Sequence, residues 1–124
     1  MRVLVTGDRR WSDPTLLADV LDDLPDITEL IEGGALGADG MASQWAWARG
    51  IPKTRVNADW KAYGRAAGAI RNQKMLDTKP DLVVALHDDL ANSRGTGHMV
   101  RIAKAAGVEV RHILHGSSTG DDAG

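Results

Sequence analysis

The chain alternates short, mostly apolar runs with segments in which apolar residues recur every three or four positions. The runs, several of them rich in β-branched residues, predict five strands, at 2–7, 28–34, 53–58, 80–87 and 108–114. The segments between them predict four helices, two at 12–24 and 38–49 and two that each follow a loop within 60–78 and 92–107. Residues 115–124 show no periodicity, and we expect them to be disordered.

Strict alternation of strands and helices predicts an α/β fold of the Rossmann-like, doubly wound type. Such a fold has a mainly parallel five-stranded sheet with helices on both faces. The sequence shows no internal repeat, so we expect one domain over residues 1–114, followed by the tail. The expected strand order is 3-2-1-4-5, with the more polar third strand near an edge and a crevice between the first and fourth strands.

Composition narrows the class of partner. The chain has 124 residues, enough for one domain with a real core, and its formal net charge is −2. This balance argues against a general nucleic-acid-coating face, so a nucleic-acid partner is not expected. The absence of cysteine excludes disulfides, Cys-zinc sites and thiol catalysis. No apolar run is long enough for a signal peptide or a membrane span, so we expect a cytoplasmic protein without a membrane partner.

Glycine-rich loops follow three of the predicted strands: TGDRRW, GGALGAD and NSRGTGH. In doubly wound sheets, ligands bind beyond the carboxyl ends of the strands. The first turn of a helix offers unpaired N–H groups and a partial positive charge, and glycine lets a phosphate approach the main chain. Taken alone, each loop is better explained as a tight turn. Two such loops at one sheet edge favour a negatively charged ligand bound by the amides of both helix starts.

Polar residues near these loops could complete the site. Arg71 and Asn72 lie in the middle of a predicted helix, where Asn is unfavourable and Arg offers forked donors suited to phosphate. The alternative for both is a solvated helix face. In the loop after the fourth strand, Arg94 would add a mobile cation and Thr96 a hydroxyl donor.

Resemblance to a known family is carried by five segments: VTGDRRW, GGALGADGMASQWA, WKAYGRAAGAIRNQKML, DLVVALH and RGTGHMVRIAKAAGVEV. Together they resemble the YspA-like (cpYpsA-related) family of the SLOG superfamily, once a domain of unknown function and distant kin of LOG phosphoribohydrolases and DprA. The resemblance runs from about Arg2 to Ile113. It implies a Rossmann-like protein of bacteria or their phages that binds nucleotides or nucleotide-derived ligands.

The resemblance also implies binding positions. Carried onto this chain, they are Gly7, Arg9, Gly33, Gly34, Gly37, Asp39, Arg71, Asn72, Gly95 and Thr96, to which the last glycine loop adds Arg94 and Gly97. Two positions depart from the family pattern. Leu36 stands where a basic or polar residue is common, and the Asp8 carboxylate would repel a phosphate unless Arg9 or Arg10 screened it.

Catalysis is a separate question. The LOG motif resembles PGG-x-GT-x-x-E, and its essential Glu would fall at Met99, which cannot act as an acid or base. We therefore assign no catalytic residue and expect a sensor or sequestering protein for a nucleotide or ADP-ribose-like molecule. A LOG-like N-glycosidase is one alternative, with Asp39 as the substitute carboxylate. Two other roles for Asp39, a clamp on ribose hydroxyls and a favourable interaction with the helix dipole, are level with each other and both preferred to catalysis. DprA-like single-stranded DNA binding is the other alternative.

Histidines and carboxylates near the site are open to two interpretations. His87, Asp88 and Asp89 could hold a divalent metal, but a polar loop is favoured, so neither a metal nor a cofactor is predicted. His98 could meet a ligand phosphate or transfer a proton, or it could face solvent.

The aromatic residues also carry two interpretations. Trp60 and Tyr63 could stack on a base or pack within the protein. On the second predicted helix, Trp45 should be in the core, which leaves Trp47 as the candidate contact of an expected homo-oligomer.

Overall fold

The computed structural model describes residues 1–115. Its strands are β1 (Arg2–Gly7), β2 (Glu29–Glu32), β3 (Lys53–Arg55), β4 (Leu82–Leu86) and β5 (Glu109–Ile113). Its α-helices are α1 (Pro14–Asp22), α2 (Ala38–Ala48), α3 (Trp60–Tyr63), α4 (Ala67–Asp77) and α5 (Gly95–Ala105), with short 3-10 turns at Gly64–Ala66 and Leu90–Asn92. None of the helices in this part of the chain is long and apolar enough to cross a membrane. Disorder is predicted for residues 115–124, and apart from His115 these residues lie outside the described range.

The five strands form one parallel sheet in the order β3-β2-β1-β4-β5. This confirms the Rossmann-like α/β fold and the predicted strand order, including the edge position of the polar third strand. From β1 the chain adds β2 and then β3 on one side of the sheet, and after β3 it crosses over to add β4 and β5 on the other side of β1. Loops leaving the neighbouring strands β1 and β4 therefore diverge and leave a crevice between them.

Two hydrophobic cores cover the two faces of the sheet. On one face, Val3 and Val5 of β1 pack with α1 and α2, whose Leu17 and Trp45 are buried. On the other face, Leu4 packs with Met75 of α4 and Met99 of α5. Successive residues of β1 thus point to opposite faces, as they must in a pleated strand that is buried on both sides.

The segment 60–78, predicted as a loop running into a helix, holds α4 in its second part and the single turn α3 before it. The Asp59 side chain caps α3 by accepting a hydrogen bond from Ala62 N. Gly64 then takes a positive φ of 53° and ends the helix after a single turn, before α4 begins at Ala67. No residue of 60–66 is buried, so this segment lies on the surface beside α4.

Candidate functional site

A cleft with two lobes lies at the carboxyl ends of the strands. The large lobe has a volume of about 880 Å³ and extends from the Gly33–Leu36 loop to α3 and α4. The small lobe, about 250 Å³, lies between the ends of β1 and β4 and reaches the start of α5. Both lobes are lined by Arg9, Ala35, Arg71, Asn72, Arg94 and Gly95, so they form one continuous cleft.

Most of the predicted binding residues are brought together here. Lining both lobes are Arg9, Arg71, Asn72, Arg94 and Gly95; lining the large lobe only are Gly33 and Gly34; lining the small lobe only are Gly7, Asp39 and Thr96. Gly37 and Gly97 line neither lobe. Ligand contact by any of these residues stays a prediction.

The loop that begins at Gly33 has its amides already occupied. Gly33 N and Ala35 N donate hydrogen bonds to Asp39 Oδ2, at 3.0 and 3.3 Å. Gly34 N donates to Glu32 Oε1 at 2.6 Å. These three amides, which precede the first turn of α2, are therefore not free for a ligand, because two carboxylates of the same chain have taken them; binding by the amides of the α2 start stays a prediction.

Both carboxylates are buried. Glu32 is fully buried and accepts a second hydrogen bond from Arg55 Nε at 2.7 Å, which forms an ion pair. Burial raises the pKa of Asp39 to about 6, and the charge of Glu32 adds to this rise, although the two amides and Arg71 oppose it. Sequence reasoning missed Glu32. Its signal was an acidic residue at the end of a strand, next to two glycines.

Packing explains some of the glycines. A Cβ at Gly7 would lie 2.5 Å from Leu86 O and 2.7 Å from Ala38 Cβ. Gly37 has a φ of +71°, and a Cβ there would collide with main-chain atoms of Asp8 and Arg9. These two glycines let the loops after β1 and β2 approach each other closely.

Gly95 differs from them. Apart from its chain neighbours and the backbone of its own helix, no atom of the described residues would lie within 4 Å of a Cβ at Gly95, and the residue does not have a positive φ. It is exposed at the first position of α5, where it lines both lobes. Packing within the described chain therefore gives no reason for a glycine at this position.

The start of α5 is capped by a neutral group. Ser93 Oγ accepts hydrogen bonds from Thr96 N at 3.1 Å and from Gly97 N at 3.4 Å. This hydroxyl satisfies two amides of the first turn without adding negative charge. The helix start thus retains the positive end of its dipole.

Positive charge predominates in the large lobe. Arg9, Arg65, Arg71 and Arg94 line it, and no Asp or Glu of residues 1–115 does. Asp8 lines the small lobe, where its Oδ1 accepts a hydrogen bond from Arg10 N at 2.9 Å. The large lobe therefore favours an anion.

Arg71 and Asn72 connect the two glycine loops. Arg71 Nη1 donates to Gly33 O at 2.9 Å, and Arg71 Nε donates to Asn72 Oδ1 at 3.0 Å. Asn72 Nδ2 contacts Gly95 O and His98 Nδ1, each at 3.1 Å. Asn72 is only 2% exposed, so the alternative of a solvated helix face is wrong for this residue.

Aromatic and apolar side chains lie around the large lobe. Trp60 is 58% exposed and lines this lobe together with Leu36. Trp45 is buried as predicted, and its Nε1 donates to Asp22 Oδ1. Trp47 is 78% exposed, and its role in an oligomer stays a prediction.

The residues considered for catalysis or metal binding contact other parts of the protein. Met99 is fully buried in the core between the sheet and α5, so it presents nothing to the cleft. Asp89 accepts hydrogen bonds from Asn92, and Asp88 accepts one from His115 N. Within residues 1–115, no group of three or more His, Asp or Glu side chains could hold a metal ion.

Comparison with known proteins identifies relatives of the chain. The model of the family described as YspA, cpYpsA-related SLOG family matches residues 1–63, just over half of the 124 residues. The Gene 61 protein of Mycobacterium phage D29 is 39% identical over 120 residues, which cover 88% of this chain and 93% of that relative. No solved structure matches.

Proposed function

The chain belongs to the YspA, cpYpsA-related SLOG family, and on that premise we propose that it binds a nucleotide or an ADP-ribose-like molecule in the cleft. Membership of this family suggests a nucleotide-related ligand. We propose further that binding serves a sensor or a sequestering function. The cleft volume supports this proposal, because about 880 Å³ lies within the range of small-molecule sites.

Gly95 is the observation that carries the proposal. Gly95 begins α5, and nothing in the described fold requires a glycine at this position. A phosphate that approaches the α5 main chain would need the space that a Cβ takes. The free space at this position therefore supports a phosphate site where the two lobes join.

Charge and shape support an orientation for the ligand. Arg9 and Arg94 are exposed at the junction of the lobes and would contact phosphate oxygens. Three amides of the Gly33 loop are already occupied, so we assign this loop to the nucleoside rather than to the phosphate. Trp60 would then stack on the base in the large lobe.

The test is calorimetric titration of the protein with AMP and with ADP-ribose. We expect Arg94→Gln and Arg9→Gln each to weaken binding at least about tenfold, since a hydrogen bond to a charged group contributes about 1.5–3 kcal/mol. Arg10→Gln is the matched control, because Arg10 is exposed beside Arg9 but lines neither lobe. Failure of both nucleotides to bind, or an equal loss in the control, would contradict the proposal.

A LOG-like N-glycosidase is the second candidate function. It is favoured by Asp39, a carboxyl that lines the small lobe with a pKa of about 6, suitable for proton transfer near neutral pH. This candidate predicts release of free base and ribose 5-phosphate from a nucleotide, and loss of that release in Asp39→Asn. No product at high protein concentration would eliminate it.

Single-stranded DNA binding has less support, because the 17 acidic residues outnumber the 15 Lys and Arg residues and the net charge is −2. We expect no salt-dependent retention on single-stranded DNA. Retention that falls steeply with salt would favour this function instead.

A further inference from the structure

The orientation of the Asn72 side-chain amide is determined by two neighbours. Arg71 Nε is only a donor, so the Asn72 atom that contacts it at 3.0 Å is the oxygen. Gly95 O is only an acceptor, so the Asn72 atom that contacts it at 3.1 Å is the nitrogen. Both neighbours require the same orientation, with the NH₂ group directed at the start of α5.

The same NH₂ group also determines the state of His98. Asn72 Nδ2 lies 3.1 Å from His98 Nδ1 and can only donate to it. His98 Nδ1 must therefore carry a lone pair rather than a proton. A neutral imidazole with an unprotonated Nδ1 carries its proton on Nε2. Within residues 1–115, no hydrogen bond involves His98 Nε2, and His98 lines the large lobe.

We propose that Asn72 is a positioning residue that holds His98 as a neutral Nε2–H donor, and that His98 gives this hydrogen bond to an oxygen of the ligand. The ligand part rests on the proposed nucleotide-binding function. In this role His98 is a specificity residue, because it favours ligands that place a hydrogen-bond acceptor, such as a ribose or phosphate oxygen, near its Nε2. Because His98 is neutral, it contributes a directed hydrogen bond rather than a positive charge.

The charged groups around His98 also favour its neutral form. Arg101 lies on its own helix and Arg94 at the N-cap of that helix, and Arg9, Arg65 and Arg71 share the large lobe with it. The pKa of His98 is lowered by burial and by the charge of Arg101. An imidazolium would also place two donors against each other at the contact between Nδ1 and Asn72. Acidification should therefore not strengthen ligand binding through His98.

The first experiment needs no ligand, and its decisive spectra are those of the wild-type protein. Long-range proton–nitrogen correlation spectra of the imidazoles in the wild-type protein at neutral pH report which ring nitrogen is protonated. His98→Gln identifies the His98 signals among the four histidines. We expect unprotonated Nδ1 and protonated Nε2. A proton on Nδ1, an imidazolium or rapid averaging of the two tautomers would overturn the role of Asn72.

Asn72→Asp reverses the hydrogen-bond requirement. A carboxylate at position 72 still accepts from Arg71 but now needs a proton on His98 Nδ1, so the tautomer should change and the pKa of His98 should rise. Gln73→Glu is the matched control, since it adds a negative charge to the next, exposed residue of α4, whose side chain contacts Asp77 instead. An unchanged His98 in a folded Asn72→Asp protein would overturn the proposal.

The ligand part is tested by titration with ADP-ribose. We expect His98→Ala to weaken binding about tenfold and His98→Gln, which keeps an N–H donor, to stay within about threefold of wild type. Equal affinity of His98→Ala and wild type would overturn the assigned contact. If wild type binds neither ADP-ribose nor AMP, the proposed function and the ligand part both fail. The tautomer spectra still decide the role of Asn72.

Discussion

The two glycine loops at this sheet edge look alike in sequence but differ in chemistry. At the loop after β2, the amides of Gly33, Gly34 and Ala35 donate to the buried carboxylates of Asp39 and Glu32. At the start of α5, a neutral hydroxyl from Ser93 takes two amides, and the neighbouring charged side chain in the cleft is Arg94. The first loop is neutralised by its own chain, whereas the second retains its attraction for an anion.

This difference shows that glycines in a strand-to-helix loop serve at least two purposes. In the first loop they allow close approach of the main chain to other parts of the protein, as at Gly37. In the second, Gly95 borders open space. The electrostatic surroundings of each loop, rather than its glycine content, indicate where a phosphate would bind.

The largest expected effect tests the packing role of the first loop. Gly37→Ala forces a positive φ on alanine and drives a Cβ into the main chain of Asp8 and Arg9, so we expect a loss of about 3 kcal/mol or more in the free energy of unfolding. Urea denaturation measures it. Gly95→Ala is the matched control and should change stability by no more than about 1 kcal/mol. Equal losses in both variants would remove the contrast between the loops.

The second prediction concerns the buried carboxylate of the first loop. The folded pKa of Asp39 is about 6, against an ordinary value of 3.8, so the folded protein binds a proton more tightly than the unfolded chain does. The resulting stabilisation is complete below about pH 4 and is lost as the pH rises through 6. Relative to Asp39→Asn, wild type should lose about 2–3 kcal/mol between pH 4 and pH 7, measured by denaturation at each pH.

Asp22 supplies the control of opposite sign. Hydrogen bonds from Arg49 lower the pKa of Asp22, so its contribution is present above its ordinary pKa and is lost as the pH falls. Asp22→Asn should therefore change the pH profile in the opposite direction. A flat difference between wild type and Asp39→Asn would mean that the carboxyl is not held in a charge-disfavouring environment.

The smallest expected effect tests the open space in the second loop. Gly95→Ala adds a methyl group where a phosphate would approach α5, and we expect about fivefold weaker binding of ADP-ribose, equivalent to about 1 kcal/mol. Calorimetry of wild type and variant measures this change. If Gly95→Ala binds as well as wild type while remaining folded, the phosphate does not approach this part of the main chain.

The fold was predictable because its signals are local. Each apolar run was short enough to be a strand, and each periodic segment had one apolar face, so a parallel sheet with the order 3-2-1-4-5 followed. Within 60–78, the prediction of a loop running into a helix agrees with α4, but the single helical turn α3 at the start of this segment was not foreseen. Gly64 ends α3, but its positive φ becomes evident only when the course of the chain is known. Asp39 was recognised as important, but its partners were not.

The amino-acid sequence by itself determined the class of fold and the sheet edge at which the glycine loops gather, since patterns of apolar residues specify which faces are buried. Only the tertiary structure decided that Arg71 reaches Gly33 O across 38 positions and that Asn72 reaches Gly95 O across 23. It also decided that the Glu32 and Asp39 carboxylates accept hydrogen bonds from the amides of the loop after β2. The physical reason is distance: a hydrogen bond requires atoms about 3 Å apart, and the packing of α4 and α5 on the sheet sets that separation.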